Sequence, residues 1–271
     1  GINAEYGSFS HQMSADQLLT QARDGLKKSL FKKPNPDLAA TYFISASELF
    51  LKQNQPAQAT SALEEALQQQ VSDKTKQSLL ERLCTQKSPR QLEFTKLLCL
   101  QKQRNGDFKG AAKTLFLTAL LTQNSEEQTQ LVDQAFQMYE QENKAGQAII
   151  QLMELIEELI QQEQFQQALK LSLPARNKLF GGKDGFKIDR ICCQAICMAF
   201  ILGDREAAKD FYEYFDNYQS SHGKFATVLC ECWDEKDFGK FEEIKTELSQ
   251  LNIPPMLKGK LKEVNLFDLG L

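Results

Sequence analysis

The feature that most constrains the fold is a short break that recurs along the chain between segments of helical periodicity. From Ser14 to Val264, apolar residues recur at positions i, i+3 and i+4, the spacing of one face of an amphipathic helix. Five breaks interrupt this pattern and resemble one another: residues 54–59 (NQPAQA), 106–111 (GDFKGA), 163–168 (EQFQQA), 203–208 (GDREAA) and, less closely, 236–241 (KDFGKF). The sixth residue is usually small and lets two helix backbones approach, and the polar Asp, Asn or Gln before it can cap the new helix.

The spacing of these breaks predicts the architecture. The last three are separated by 40 positions, from Ala168 to Ala208, and by 33 positions, from Ala208 to Phe241. Such periods are typical of tetratricopeptide-like helix pairs, in which each pair buries its apolar face against its neighbours. We therefore predict an all-α fold with three parts: a flexible leader over residues 1–13, a tetratricopeptide-like solenoid of antiparallel helix pairs over 14–217, and a C-terminal helical bundle and tail over 218–271.

Composition narrows the class of function. The formal net charge of −4 argues against a general nucleic-acid binder, which normally needs a strong basic excess. Seven cysteines lie inside apolar periodic segments, and this odd number placed in that way indicates reduced thiols in a cytosolic environment. No apolar run approaches the roughly 20 residues of a membrane span, and the first residues lack the pattern of a signal peptide. We expect a soluble, cytoplasmic protein.

No catalytic or metal-binding constellation can be assembled from the sequence. His11 lies in the leader, and His222 is interpreted as an ordinary surface histidine in a loop. The glycine-rich segment 181–185 lacks the phosphate-binding patterns and is interpreted as a connector. The clustered cysteines lack zinc-ligand spacing and are interpreted as small buried hydrophobes: Cys192, Cys193, Cys197, Cys230 and Cys232. We predict a non-enzymatic protein without cofactor or metal.

One short stretch, Gly25–Asp37 (GLKKSLFKKPNPD), has an unusual composition. Two lysine pairs bracket Leu30 and Phe31, and Pro34 and Pro36 follow, which are predicted to end the first helix and begin the second. Three interpretations stay open: a packing plug that completes the apolar face of the first helix, a docking point for a protein, or a small membrane probe. The candidate site is this loop pair together with a basic patch of Lys27, Lys28, Lys32 and Lys33.

The same stretch carries a resemblance to a known family. Residues 26–37 (LKKSLFKKPNPD), followed by Ala39, Ala40 and Tyr42, resemble the N-terminal helix pair of the soluble NSF attachment proteins (SNAPs), most closely the gamma branch. Four later segments resemble the family's sequence in the same order: 159–168, 202–209, 225–241 and 265–271. Two departures stand out: residues 70–100 form a shorter segment than in the family, and the acidic, leucine-containing extreme C-terminus that members present to the ATPase NSF is not evident.

The resemblance implies a non-enzymatic adaptor of vesicle fusion and trafficking. Such an adaptor grips a SNARE complex and hands it to a hexameric NSF-type ATPase. By this resemblance Leu30 and Phe31 would dip into the membrane interface as a peripheral contact, while the four lysines would face acidic lipids or an acidic helical bundle. Phe267, Leu269 and Leu271 would be a C-terminal docking motif for a partner or the last turn of packing. The alternative is a SNAP-like or tetratricopeptide-like scaffold for another large protein, including a bacterial mimic that acts on host trafficking.

Overall fold

The computed structural model describes residues 13–28, 33–141, 144–182 and 184–269. Within these ranges the chain forms fourteen α-helices and two 3-10 helices, and no strand. Neighbouring helices pack in adjacent pairs, so the predicted all-α, solenoid-like fold class is confirmed. The chain divides into two compact units, Gly1–Thr122 (the N-terminal unit) and Gln123–Leu271 (the C-terminal unit). The predicted boundary between residues 217 and 218 falls inside the C-terminal unit and stays a prediction.

The N-terminal unit contains six helices. Helix α1 packs on α2 and α2 on α3, and the same arrangement recurs where α4 packs on α5 and α5 on α6. Ala22, Ala39 and Ala40 are fully buried where α1 meets α2, and such small side chains let helices approach closely. The helices are α1 (Ala15–Leu26), α2 (Pro36–Lys52), α3 (Pro56–Leu67), α4 (Asp73–Thr85), α5 (Gln91–Arg104) and α6 (Phe108–Leu121).

The C-terminal unit contains eight α-helices and both 3-10 helices. They are α7 (Ser125–Gln141), α8 (Ala145–Gln161), α9 (Phe165–Leu179), α10 (Gly185–Leu202), α11 (Arg205–Tyr212), α12 (Ser221–Glu235), α13 (Phe238–Ile244), the 3-10 helix Lys245–Gln250, α14 (Pro255–Glu263) and the 3-10 helix Leu266–Leu269. Helix α10 is central, because it packs against α9, α11, α12 and α14. All residues from 191 to 200 are buried, as expected for a helix that is apolar on every side.

The buried helix α10 also accounts for the cysteines. Cys192, Cys193 and Cys197 lie on it with no exposed surface, and Cys232 is buried on α12. Their interpretation as small buried hydrophobes is confirmed, while Cys230 is half-buried. Burial raises the pKa of Cys192 and of Cys230 to about 12, so both side chains stay protonated thiols at neutral pH.

The five recurring breaks form one turn with one backbone conformation. Each begins with a residue of positive φ, between 57° and 77°: Asn54, Gly106, Glu163, Gly203 and Lys236. In each, the N–H of the next residue donates to the carbonyl five positions earlier at 2.8–3.0 Å, as Gln55 does to Phe50 and Asp204 to Ala199. This is the Schellman ending of a helix, which satisfies carbonyls that have no partner within the helix. The five breaks therefore share a backbone structure as well as a similar sequence.

The predicted capping of the next helix is confirmed for aspartate and wrong for glutamine. Asp107, Asp204 and Asp237 each accept a hydrogen bond from the backbone N–H three residues on, at 2.9–3.0 Å. Gln55 and Gln164 occupy the same position but make no side-chain cap. The additional methylene of glutamine removes the short reach that favours Asp, Asn and Ser at this position.

The left-handed residues allow a stability prediction. Lys236 has φ 58°, a conformation that costs a side chain about 1 kcal/mol and costs glycine almost nothing. Lys236→Gly is therefore expected to raise the free energy of unfolding by about 1 kcal/mol, measured by urea denaturation. The control is the reverse change at an equivalent position: Gly203 has φ 70°, and Gly203→Ala is expected to lower the free energy of unfolding by a similar amount. A loss of stability in Lys236→Gly would contradict the prediction.

Candidate functional site

The connection between α1 and α2 carries the predicted basic patch, and its base is fixed. The N–H of Asn35 donates to the carbonyl of Gly25 at 3.2 Å, which holds the two ends of the connection together. Asn35 also caps α2 by accepting from the Leu38 N–H at 3.1 Å. Pro36 is the first residue of α2, as predicted. The prediction for Pro34 is wrong, because α1 ends at Leu26, eight positions before it, and the exposed Lys27 and Lys28 follow.

The lysines that the structure describes form an exposed, positively charged surface. Lys27, Lys28 and Lys33 are exposed. The Lys27 ammonium lies 2.7 Å from Asp24 Oδ1 in an exposed ion pair, so part of its charge is offset. Leu30, Phe31 and Lys32 lie outside the described residues. The membrane-probe, docking and packing interpretations of the two apolar residues therefore stay predictions.

The predicted C-terminal motif contains one exposed residue and one residue that packs against the rest of the unit. Phe267 is 67% exposed, and one face of its ring stacks on Phe238 with centroids 3.8 Å apart. Leu269 is half-buried, and its Cδ2 lies 3.6 Å from the place that a Cβ on Gly203 would take. Leu271 lies outside the described residues. A docking role for the three residues stays a prediction, with Phe267 offering the exposed surface and Leu269 contributing to packing.

The interpretation of His222 as a surface loop residue is wrong. It is the second residue of α12 and is buried, with its ring edge-on to Phe186 at a centroid distance of 5.6 Å. Ser220 caps this helix by accepting from the Gly223 N–H at 3.0 Å, so the serine before the histidine was an available signal. Burial lowers the pKa of His222, and a hydrogen bond with the Asn252 backbone offsets this in part.

The lowered pKa of His222 predicts an acid-sensitive stability. The folded state disfavours the imidazolium, so the unfolded chain binds the proton more readily. The stability that the neutral His222 side chain contributes is complete above its unfolded-state pKa of 6.5. It is lost as the pH falls below that value toward the lower pKa of the folded state. We expect His222→Gln to flatten the decline of unfolding free energy as the pH falls below 6.5, measured by urea titrations at each pH. An unchanged slope would contradict this.

Asp189 is a buried carboxylate that the sequence analysis did not single out. It lies on α10 with 2% exposure. Its Oδ1 accepts from the backbone N–H of Asp216 at 2.8 Å and of Asn217 at 3.3 Å, and its Oδ2 accepts from the Ser220 hydroxyl at 2.9 Å. The three donors all belong to the α11–α12 connection, so this buried carboxylate fixes that loop onto α10. Asp189 lies next to Arg190 and two positions after Lys187, so nothing in the sequence indicates that its carboxylate is buried.

Arg176 on α9 is a second buried charge that the sequence did not reveal. Its Nη1 lies 2.5 Å from Asp210 Oδ2 on α11. The guanidinium stacks on Tyr214, 3.7 Å from the ring centroid, and lies 4.9 Å from that of Phe211. The pair thus combines a carboxylate with two aromatic rings around one guanidinium, an arrangement that suits arginine better than lysine.

The structure also contains an open cavity, which lies outside the predicted site. An open cavity of about 290 Å³ lies between α7 and α9, lined by Gln128, Val132, Asp133, Leu173, Pro174 and Lys178 among others. Its charged pair, Lys178 and Asp133, lies 2.6 Å apart and is half-exposed. Across the described ranges, no three His, Cys, Asp or Glu side chains are grouped so that they could hold a metal ion.

The structure therefore defines a class, an all-α protein of adjacent helix pairs with candidate interaction surfaces. In the part of the chain that the structure describes, none of the helices combines the length and the apolar character needed to cross a membrane. No protein-family model matches the chain, and no curated protein matches it either.

Proposed function

We propose that the protein is a non-enzymatic adaptor of the SNAP kind, which binds a SNARE-type helical bundle and an NSF-type ATPase in vesicle fusion and trafficking. The single observation that carries the proposal is the basic α1–α2 connection, whose sequence resembles that family and whose base is fixed by the Asn35–Gly25 hydrogen bond. The solenoid fold is the kind that the resemblance implies. Repeated helix pairs offer a long, rigid surface for an extended partner.

The two units carry formal charges of opposite sign, which supports a protein that contacts an acidic partner with one unit and a basic partner with the other. The N-terminal unit has 16 Lys and Arg against 11 Asp and Glu, a formal charge of +5. The C-terminal unit has 16 Lys and Arg against 25 Asp and Glu, a formal charge of −9. Charge of one sign on each unit speeds encounter with partners of the opposite sign and supplies specificity rather than bulk affinity. Acidic lipid or an acidic bundle would therefore meet the N-terminal unit.

The expected membrane contact is weak and reversible. Four lysines near an anionic surface contribute about 1 kcal/mol each. Burial of the Leu30 and Phe31 side chains would add a few kcal/mol more. A contact of this size suits an adaptor that assists at a membrane and leaves it again, rather than a permanent anchor.

Liposome flotation tests the loop. Leu30→Ser with Phe31→Ser is expected to reduce the fraction that floats with anionic vesicles several-fold, because the apolar part of the binding energy is lost. The matched control is Leu97→Ser with Leu100→Ser, two exposed leucines of the same unit, which is expected to float like the wild type. If flotation is the same for the loop variant and the wild type, the membrane role is wrong.

Pull-down with an assembled SNARE complex, with and without NSF, tests the adaptor function itself. Retention of the chain by the SNARE complex, and of NSF through the chain, is the expected result. Retention of neither would overturn the SNAP-like function and favour the alternative, a scaffold that holds another large protein.

A further inference from the structure

Exposed aromatic rings lie near one another on the C-terminal unit, and none of them belongs to the residues assigned above to membrane or ATPase contact. Phe180 is 59% exposed, Phe186 is 57% exposed and Tyr218 is 38% exposed. Phe180 and Phe186 flank the α9–α10 connection, and Tyr218 lies in the α11–α12 connection. We name the surface formed by Phe180, Phe186 and residues 213–218 the aromatic edge. Large exposed aromatic side chains grouped in this way are typical of interaction surfaces.

Direct contacts bring the two connections together along their length. The Phe180 ring meets Tyr214 edge-on at 5.0 Å, and Phe186 meets His222 edge-on at 5.6 Å. Between them, the Asp216 carboxylate lies against Gly185, because a Cβ there would be only 2.0 Å from Oδ2. The aromatic edge is thus one continuous surface, although its residues come from two separated parts of the sequence.

The aromatic edge is also held rigidly. The buried Asp189 carboxylate fixes the backbone at Asp216 and Asn217. The Tyr218 hydroxyl donates to the Tyr212 carbonyl at 2.9 Å, and the Tyr218 ring packs edge-on against Tyr212 with centroids 5.2 Å apart. A surface fixed before binding loses little conformational entropy when a partner docks, which favours affinity.

The charges around the rings indicate which partner fits. Two cations near the rings are already paired, Arg176 with Asp210 and Lys187 with Asp184 at 2.6 Å. Glu213 and Asp216 are exposed, and among the described residues neither carboxylate has an ion-pair partner. The edge therefore offers aromatic faces beside the exposed carboxylates of Glu213 and Asp216, within a unit of formal charge −9.

The inner side of the same surface already binds a guanidinium. Tyr214, whose edge contacts Phe180, stacks on the buried Arg176, and Asp210 completes the ion pair. We propose that the outer side of the aromatic edge binds an arginine-containing, positively charged peptide segment of a partner protein, with guanidinium groups over the exposed rings and against Glu213 and Asp216. An arginine side chain can stack on an aromatic ring and pair with a carboxylate at the same time. The proposal does not depend on the SNAP-like function.

The test uses the full chain and a fluorescent ten-residue peptide of alternating arginine and glycine, with binding followed by anisotropy at two salt concentrations. Phe180→Ser with Phe186→Ser is expected to weaken binding about ten-fold, because two ring contacts are lost while all charges remain. The matched control is Ile150→Ser with Leu173→Ser, two exposed apolar residues of the same unit, and it is expected to bind within about two-fold of the wild type. Thermal unfolding of both variants checks that each is folded.

A second pair of variants separates local from overall charge. Glu213→Gln is expected to weaken binding, whereas Glu247→Gln, which removes the same charge elsewhere on the unit, is expected to leave it unchanged at the higher salt. The proposal is overturned if the wild type does not bind the peptide, or if ring and control variants lose binding equally. It is also overturned if a lysine–glycine peptide binds as tightly, or if a glutamate–glycine peptide binds better.

Discussion

Asp189→Ala is expected to destabilise the C-terminal unit by about 3 to 4 kcal/mol, since three donors lose their acceptor at once. Two of these donors are backbone N–H groups, of Asp216 and Asn217, which no rotamer change can redirect. The third is the Ser220 hydroxyl, which also caps α12. The loss would therefore combine unsatisfied polar groups with a loosened helix start.

Urea denaturation followed by circular dichroism measures this effect, and hydrogen exchange at Asp216 and Asn217 locates it. Asp189→Asn is expected to lie between the wild type and the alanine variant, because its amide oxygen still accepts. Asp268→Ala, a change at an exposed aspartate of the same unit, is the control and is expected within about 0.5 kcal/mol of the wild type. A loss below about 1 kcal/mol in Asp189→Ala would show that the carboxylate does not hold the loop.

Gly223→Ala is expected to be the other strongly destabilising change. A Cβ on Gly223 would lie 2.5 Å from the Asn217 carbonyl oxygen and 2.6 Å from the Tyr218 Cα. Both are backbone atoms of the connection that Asp189 fixes, so they have little freedom to move away. Forcing this backbone outward should cost about 2 to 3 kcal/mol, as overpacking in a well-packed site does.

Gly259→Ala provides the matched control for that substitution. Gly259 also lies within a helix, α14, but a Cβ there would meet nothing within 4 Å. Alanine is the better helix former, so this variant is expected to gain about 0.5 to 1 kcal/mol. Opposite signs for the two variants in thermal unfolding are the expected result. A neutral Gly223→Ala would mean that the α11–α12 connection is free to shift.

The fold was largely predictable because its determinants are local. Apolar periodicity and the five similar breaks depend on residues a few positions apart, and the structure places a Schellman turn at each break. The errors are local as well: Gln164 does not cap its helix, and α1 ends at Leu26 rather than at Pro34. At Gln164 the length of the side chain decides the outcome, and at Leu26 the helix ends without a breaker residue.

The candidate interaction surfaces were predictable only in part. The basic α1–α2 connection is contiguous in the sequence, so its composition was enough to single it out. The aromatic edge joins Phe180 to Tyr214 across two connections that are separate in the sequence, and Asp189 reaches the loop at Asp216 in a similar way. Such contacts arise from tertiary packing, and one sequence carries no periodic signal for them. His222 was misplaced for a related reason, since its ring packs against Phe186, which is distant in the sequence.

The central claim is that the chain bridges a SNARE bundle and an NSF-type ATPase, and a three-component flotation assay tests it most directly. Liposomes bearing an assembled SNARE complex are mixed with the ATPase, with and without this protein, and floated on a density gradient. The SNAP-like function predicts that the ATPase floats with the liposomes only when this protein is present. If the ATPase remains at the bottom of the gradient in both cases, or floats equally in both, the claim is contradicted.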